Sequence, residues 1–214
     1  MKTLTSLVAL LLASSLVLQA ADQETVDNAA NVIRDFRHMP EKGIPRSVLR
    51  NAHGLAIMSV VKAGFIFSGK AGKGVVVART RHGWSGPSFI ATGGAGWGAQ
   101  IGAEVTDFVF VLNNRDAVRA FSKGGNVTLG ADASVAAGPV GRDAHAAITP
   151  TAAVYAYSRT KGLFAGVSVE GAVIVARTEQ NARYYGHPVS AADILMGRAK
   201  PPAGATRLTA ALGR

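Results

Sequence analysis

The sequence predicts an α+β fold: a curled or closed antiparallel β-sheet, barrel-like, with N-terminal helices and short helices packed on it. Three observations lead there. Eight segments rich in β-branched and aromatic residues follow one another between Leu55 and Ala176, punctuated by glycine. Sustained helical spacing is confined to the N-terminal stretch and to short interruptions of the strands. No long helix separates successive strands, which favours antiparallel pairing over parallel crossovers.

The elements follow in order. Met1-Lys2 is a short positive start, Leu4 to Leu18 is apolar apart from Thr and Ser, and Gln19-Ala20-Ala21-Asp22 supplies small residues before polar sequence. Residues 1–20 therefore read as a cleavable secretory signal, cut after Ala20 or Ala21, with residues 21–214 forming one domain. The apolar run is short for a membrane span, so none is expected after cleavage. Val26, Ala29, Ala30, Ile33 and Phe36 recur at helical spacing, and Pro40 with Gly43 ends that pattern. Pro45 suits a first helical position and Gly54 a left-handed cap, enclosing a short second helix. Strands are predicted over 55–61, 65–67, 75–80, 89–92, 105–112, 127–135, 151–157 and 167–176. Short helices are predicted over 115–122 and 179–185, with a third after Ser190, where Ser190 and Asp193 have capping-box spacing. Lys200-Pro201-Pro202-Ala203-Gly204 reads as a loop.

Charge narrows the function. The chain has 23 Lys and Arg against 13 Asp and Glu, and none of those acids lies between Lys42 and Ala103. Eight bases do: Lys42, Arg46, Arg50, Lys62, Lys70, Lys73, Arg79 and Arg81. Five acids (Asp22, Glu24, Asp27, Asp35, Glu41) crowd the residues just before. Such patterning argues for an anionic partner, against the plainer reading of solvated faces on a basic domain. An exported chain does not meet chromosomal DNA, so nucleic acid is not expected. Without cysteine there is no disulfide, thiolate metal site or cysteine nucleophile.

Within the basic block, Ser68-Gly69-Lys70-Ala71-Gly72-Lys73-Gly74 reads as a glycine and lysine loop, suited to a phosphate head group or simply a hairpin connection with solvated lysines. It is not a nucleotide-binding loop, because Gly74 is followed by Val75 rather than Lys-Ser/Thr. A similar framework recurs at Gly162-Leu163 and Val173 to Thr178, without the lysines. Gly94, Gly96 and Gly98 alternate as on one strand face, and Gly96-x-Gly98 lacks the third glycine of a dinucleotide site. No catalytic constellation emerges. Ser168 misses the nucleophile-elbow spacing, the five histidines show no ligand spacing, and Glu104 and Asp107 fall on opposite faces of a strand. No enzyme activity, cofactor or metal is expected.

Several blocks resemble the SYLF domain family. They include Asn51-Ala52-His53-Gly54-Leu55-Ala56-Ile57, Lys62-Ala63-Gly64-Phe65-Ile66-Phe67-Ser68-Gly69-Lys70, Trp84-Ser85-Gly86-Pro87-Ser88, Gln100-Ile101-Gly102-Ala103-Glu104-Val105-Thr106-Asp107 and Thr160-Lys161-Gly162-Leu163-Phe164. The resemblance runs over about residues 24–199. It implies a non-enzymatic lipid-binding module; eukaryotic relatives bind phosphoinositide membranes with help from an N-terminal amphipathic helix, and yeast relatives also bind actin. For an exported chain, secreted or periplasmic and peripheral to a membrane, the expected partners are anionic phospholipid or phosphoinositide membranes, with actin not expected. Lys62, Lys70, Lys73, Arg79 and Lys161 are the candidate head-group contacts, and Phe65 and Phe67 the candidate inserting side chains. A structural or partner-binding envelope protein is the alternative.

Overall fold

In the computed structural model of the chain, residues 2–39, 43–65, 67–97, 102–139, 152–161 and 172–213 are described. Helix α1 (Lys2–His38) runs unbroken through Ala20 and Ala21, and α2 (Arg46–Asn51) follows Pro45. Strands β1 (Gly54–Phe65), β2 (Phe67–Thr80), β3 (Gly83–Trp84), β4 (Ser88–Trp97) and β5 (Gly102–Leu112) come next. Helix α3 (Arg115–Ser122) precedes β6 (Asn126–Thr128), β7 (Val135–Ala137), β8 (Val154–Lys161) and β9 (Val173–Ala176). Helices α4 (Thr178–Tyr185), α5 (Ala191–Leu195) and α6 (Thr206–Leu212) close the sequence of elements. The strands form one curled sheet in the order β6-β9-β4-β2-β1-β5-β8-β7, with β3 paired to β2. Every pairing is antiparallel except β7 with β8. The predicted fold class is the observed one.

The sheet is covered on both faces, and strand alternation decides which residue meets which layer. Odd-numbered residues of the central strands (Leu55, Ile57, Val75, Val77, Val109, Val111) pack under α1 and α6 through Val26, Ala29, Ala30, Ile33, Phe36 and Leu208. Even-numbered residues (Ala56, Met58, Val76, Ala78, Phe108, Phe110) pack against Ala117, Val118 and Phe121 of α3 and Leu195 of α5. The apolar stripe of α1 is thus core: Val26 and Ala30 are fully buried, and Ile33 and Phe36 nearly so. Each such side chain contributes roughly 1.5–3 kcal/mol by leaving water. Among the described residues no helix is long and apolar enough to cross a membrane.

Local chemistry explains several boundaries. Asn114 caps α3 by accepting from the Ala117 N–H at 2.8 Å, and Ser190 Oγ accepts from the Asp193 N–H at 3.0 Å while donating to the Asp193 carboxylate at 2.6 Å. Gly54 is not a left-handed cap: α2 ends at Ala52 in extended conformation, and Gly54 opens β1 at a place where a Cβ would lie 2.9 Å from the Val77 carbonyl oxygen. The predicted strand over 127–135 is instead β6, a Leu129–Ala133 bridge and β7. The tail continues past its proline loop into α6, which sequence reading did not anticipate. Most of the second copy of the recurring framework, Gly162 to Gly171, lies outside the described residues.

The largest correction concerns the glycine and lysine segment. Ser68 to Gly74 is not a loop but the first half of β2, paired residue for residue with β1 from Phe65↔Phe67 to Gly54↔Ala78. The ladder on both sides fixes it: β1 and β4 each pair along this stretch, supplying backbone partners that glycine and lysine do not select for themselves. Gly74 is required by closeness, since a Cβ there would collide with the Ile57 carbonyl oxygen and Met58.

Candidate functional site

The acid-free block folds so that its bases part company. Lys62 and Lys70 face each other across β1 and β2 on the α3 face, in the half of the hairpin nearer its turn, with Glu104 of β5 on the other side of Lys62. The stem of Lys70 crosses Gly94 of β4, where a Cβ would meet Lys70 Cε at 2.9 Å, so the glycine leaves a channel for it. Lys73 points to the opposite face and approaches Glu24 of α1 at 3.9 Å. Arg79 lies at the far end of β2, its guanidinium 4.2 Å from the Trp84 ring centroid, and burial lowers its pKa. Lys161, at the end of β8, pairs with Val105, and Phe65 and Phe67 stand opposite each other at the hairpin turn. The side chains of those last three lie outside the described residues. The seven candidates therefore do not form one cluster: Lys62 and Lys70 share a face, the two phenylalanines share the tip, Lys73 is on the other face and Arg79 at the other end.

Much of the sequence-level charge pattern is spent within the fold. Asp22 of α1 pairs with Arg183 of α4 at 3.2 Å, Asp27 with Arg207 of α6 at 3.2 Å, and Asp35 with Arg159 of β8 at 2.8 Å. Four of the five acids ahead of the basic block thus pin α1 to its surroundings, counting Glu24 with Lys73. Beneath α1 a relay runs from Asn28 to Ser59 (2.8 Å), from Ser59 to Asp107 (2.6 Å) and from Arg159 to Asp107 (2.8 Å). Burial pulls the Arg159 pKa down, but hydrogen bonds to Asp107 and Asp35 outweigh it and the net shift is upward. A cavity of about 340 Å³ opens beside this relay, lined by Asn31, Arg34 and Asp35 among others. The relay locks helix to sheet. Sequence reading placed Asp107 and Glu104 on opposite faces, as observed, but had no signal for the partner Arg159, 52 residues away.

Beyond the helices the same hairpin presents a bare apolar strip on the α1 face. Val61 is 48 % exposed and Val105 37 %, and they are cross-strand neighbours. Val61 also pairs with Ala71, and Ala63 with Ala103 and Gly69; all of these are exposed. The distal hairpin therefore has one face of small apolar side chains bordered by Lys73 and one face carrying Lys62 and Lys70. Among the described residues no cluster of His, Asp and Glu is placed to hold a metal.

This arrangement has relatives. A family model described as "Las17-binding protein actin regulator" matches residues 93–214. The chain belongs to the Ysc84, or SYLF, family. It is 52 % identical over 190 residues to "Protein YSC84" of Saccharomyces cerevisiae, covering 84 % of this chain and 41 % of that protein. It is 56 % identical over 164 residues to "LAS seventeen-binding protein 3" of the same yeast, covering 74 % of this chain and 36 % of the relative. It is 47 % identical over 188 residues to human "SH3 domain-containing YSC84-like protein 1", covering 84 % and 55 %. The chain spans between about a third and a little over half of the length of these relatives. The Ysc84 family is not an enzyme family, as expected from the missing catalytic constellation. Two expectations are corrected. The secreted or periplasmic placement falls, because the relatives are named as Las17-binding and SH3 domain-containing proteins of yeast and human, descriptions that fit no exported envelope protein. The exclusion of actin, with membrane lipid as sole partner, falls because the matched Ysc84 family is described as an actin regulator.

Proposed function

We propose that this chain is a non-enzymatic docking domain that binds a protein of the actin-regulating machinery, Las17-like or actin itself, through the distal half of the β1–β2 hairpin. The observation that carries the reading is the uncovered strip of Val61, Ala63, Ala71, Ala103 and Val105. It continues the face that α1 covers elsewhere, and it is flat enough for a partner's backbone or helix to approach because its side chains are small. Co-sedimentation with actin filaments, and capture by a Las17-type protein, test it. The wild-type chain is expected to bind at least one of the two, and Val61→Asp with Val105→Asp to weaken that binding at least roughly tenfold while leaving the melting temperature within a few degrees. Binding by neither, or equal binding by the variant, contradicts the reading.

A second reading, association with an anionic membrane, is favoured by the hairpin tip. Phe65 and Phe67 flank the turn, and the Lys62 and Lys70 pair forms a basic collar three residues further along each strand. Two lysines near an anionic leaflet are worth about 2 kcal/mol, a contribution of only tens of millimolar by themselves, so apolar insertion at the tip must add to it. Lys62→Glu with Lys70→Glu should abolish sedimentation with anionic liposomes at low salt. Unchanged sedimentation would leave the lysines as ordinary surface.

A further inference from the structure

We propose that the groove between the C-terminal ends of α1 and α6 and the start of α2 binds an acidic peptide segment of a partner protein. It lies away from the hairpin turn and stands independently of the reading above. The groove encloses about 380 Å³ and is lined by Arg34, Arg37, His38 and Arg46 together with Ile44, Ala210 and Ala211. Among the described residues lining it there is no acid.

Closing helix ends accounts for part of this charge. Arg37 Nη1 donates to the Ala211 carbonyl at 2.6 Å, and His38 Nδ1, assigned as the protonated nitrogen, donates to the Arg34 carbonyl at 2.6 Å. Both bonds satisfy carbonyls at helix C-termini, where the Arg37 cation is also favoured. Arg34 and Arg46 have no such role. The described partner of the Arg34 guanidinium is the neutral Asn31 amide oxygen at 3.3 Å. Arg46 is the first residue of α2, the end where a helix disfavours positive charge, and it is exposed with no partner among the described residues. Arg34 and Arg46, lining one groove with Arg37 and with no acid among its described lining residues, fit an external anion.

Size and lining select the class of anion. The volume far exceeds one inorganic phosphate or carboxylate, and Ile44, Ala210 and Ala211 add apolar lining, so there is room for a hydrophobic group beside the charge. Guanidinium forks match carboxylates bidentately. The groove is concave between two helices, so a flat bilayer would meet its rim and leave the floor empty. An acidic segment with an apolar residue between carboxylates satisfies all three conditions.

Fluorescence anisotropy with a short labelled peptide of alternating glutamate and leucine provides the test. The chain should bind this peptide at low salt and not its lysine and leucine counterpart. Arg34→Gln with Arg46→Gln should weaken binding roughly tenfold at an unchanged melting temperature, and Arg46→Glu alone, at an exposed position, should act in the same direction. Lys123→Gln with Arg177→Gln, exposed cations elsewhere, should leave the affinity unchanged. Equal binding by wild type and the Arg34, Arg46 variant overturns the proposal. So does displacement of the peptide by equimolar inorganic phosphate or by anionic vesicles, which would make the groove a general anion or lipid site. An increase in affinity on Glu41→Gln would also overturn it, by making the chain's own acid the occupant.

Discussion

The two halves of the β1–β2 hairpin share one ladder and one register, yet they do opposite work. In the half nearer Gly54 and Thr80, Leu55 to Met58 and Val75 to Ala78 are buried between α1 and α6 on one face and α3 and α5 on the other. In the half nearer the turn, the positions that would continue those faces hold Val61, Ala63, Lys62, Lys70, Ala71 and Lys73, all exposed or half-buried. The backbone is no less hydrogen-bonded there. What changes is whether side chains have a layer to meet, and a paired strand with no layer over it among the described residues is a surface for something else.

That contrast predicts a steep gradient of mutational cost. Ile33→Asp, which places a carboxylate beneath α1 at a position 1 % exposed, should cost about 4 kcal/mol or more and leave little folded chain, whereas Val61→Asp should stay within about 0.5 kcal/mol in urea unfolding. Similar losses for both would erase the distinction between the halves. Asp107→Ala comes next. It strips Arg159 of one of its two carboxylates in a site where Asp107 is almost wholly buried, and should cost about 3 kcal/mol. Measuring it together with Arg159→Met in a double-mutant cycle would show whether the relay acts as a unit.

The packed core should also weaken in alkali. Tyr157, Tyr184 and Tyr185 donate to the Pro139 carbonyl, the Gln23 amide oxygen and the Pro87 carbonyl. Burial, with Asp27 and Asp22 nearby, pushes the Tyr184 phenol up to about 12 from an ordinary 10.0, and burial raises Tyr157 and Tyr185 as well. Above pH about 10 the unfolded chain has therefore released protons that the native chain still holds, so stability falls as pH rises. The melting temperature should be flat up to that point and drop beyond it, and Tyr184→Phe should soften the drop. A flat profile to pH 11 would show that the phenols are freely hydrated.

Where the sequence was legible, each element carried its own signal. The Val26 to Phe36 spacing announced a helix, whose apolar face the structure buries, and Ser190 marked a helix start that the structure keeps. The distal hairpin was misread because glycine and lysine are poor strand formers taken alone; the ladder from β1 and β4 overrides them. The short α6 was missed because Leu208, Ala211 and Leu212 give barely two turns of pattern. The charge block pointed to bases but not to their separation, since strand alternation sends Lys70 and Lys73 to opposite faces and pairing sends Arg79 to the other end. The acids of α1 stood out only as a charge cluster ahead of the basic block, and three of them prove to fasten the helix.

The measurement that bears most directly on the docking surface is amide hydrogen exchange of the chain, alone and with saturating actin filaments or a Las17-type partner. Added protection should concentrate in residues 59–65 and 67–73 and in the paired stretch 102–106 of β5, with 54–58 and 75–80 unchanged. Protection confined to α1 or to the packed end, or none at all, would contradict the assignment of the distal hairpin as the binding surface.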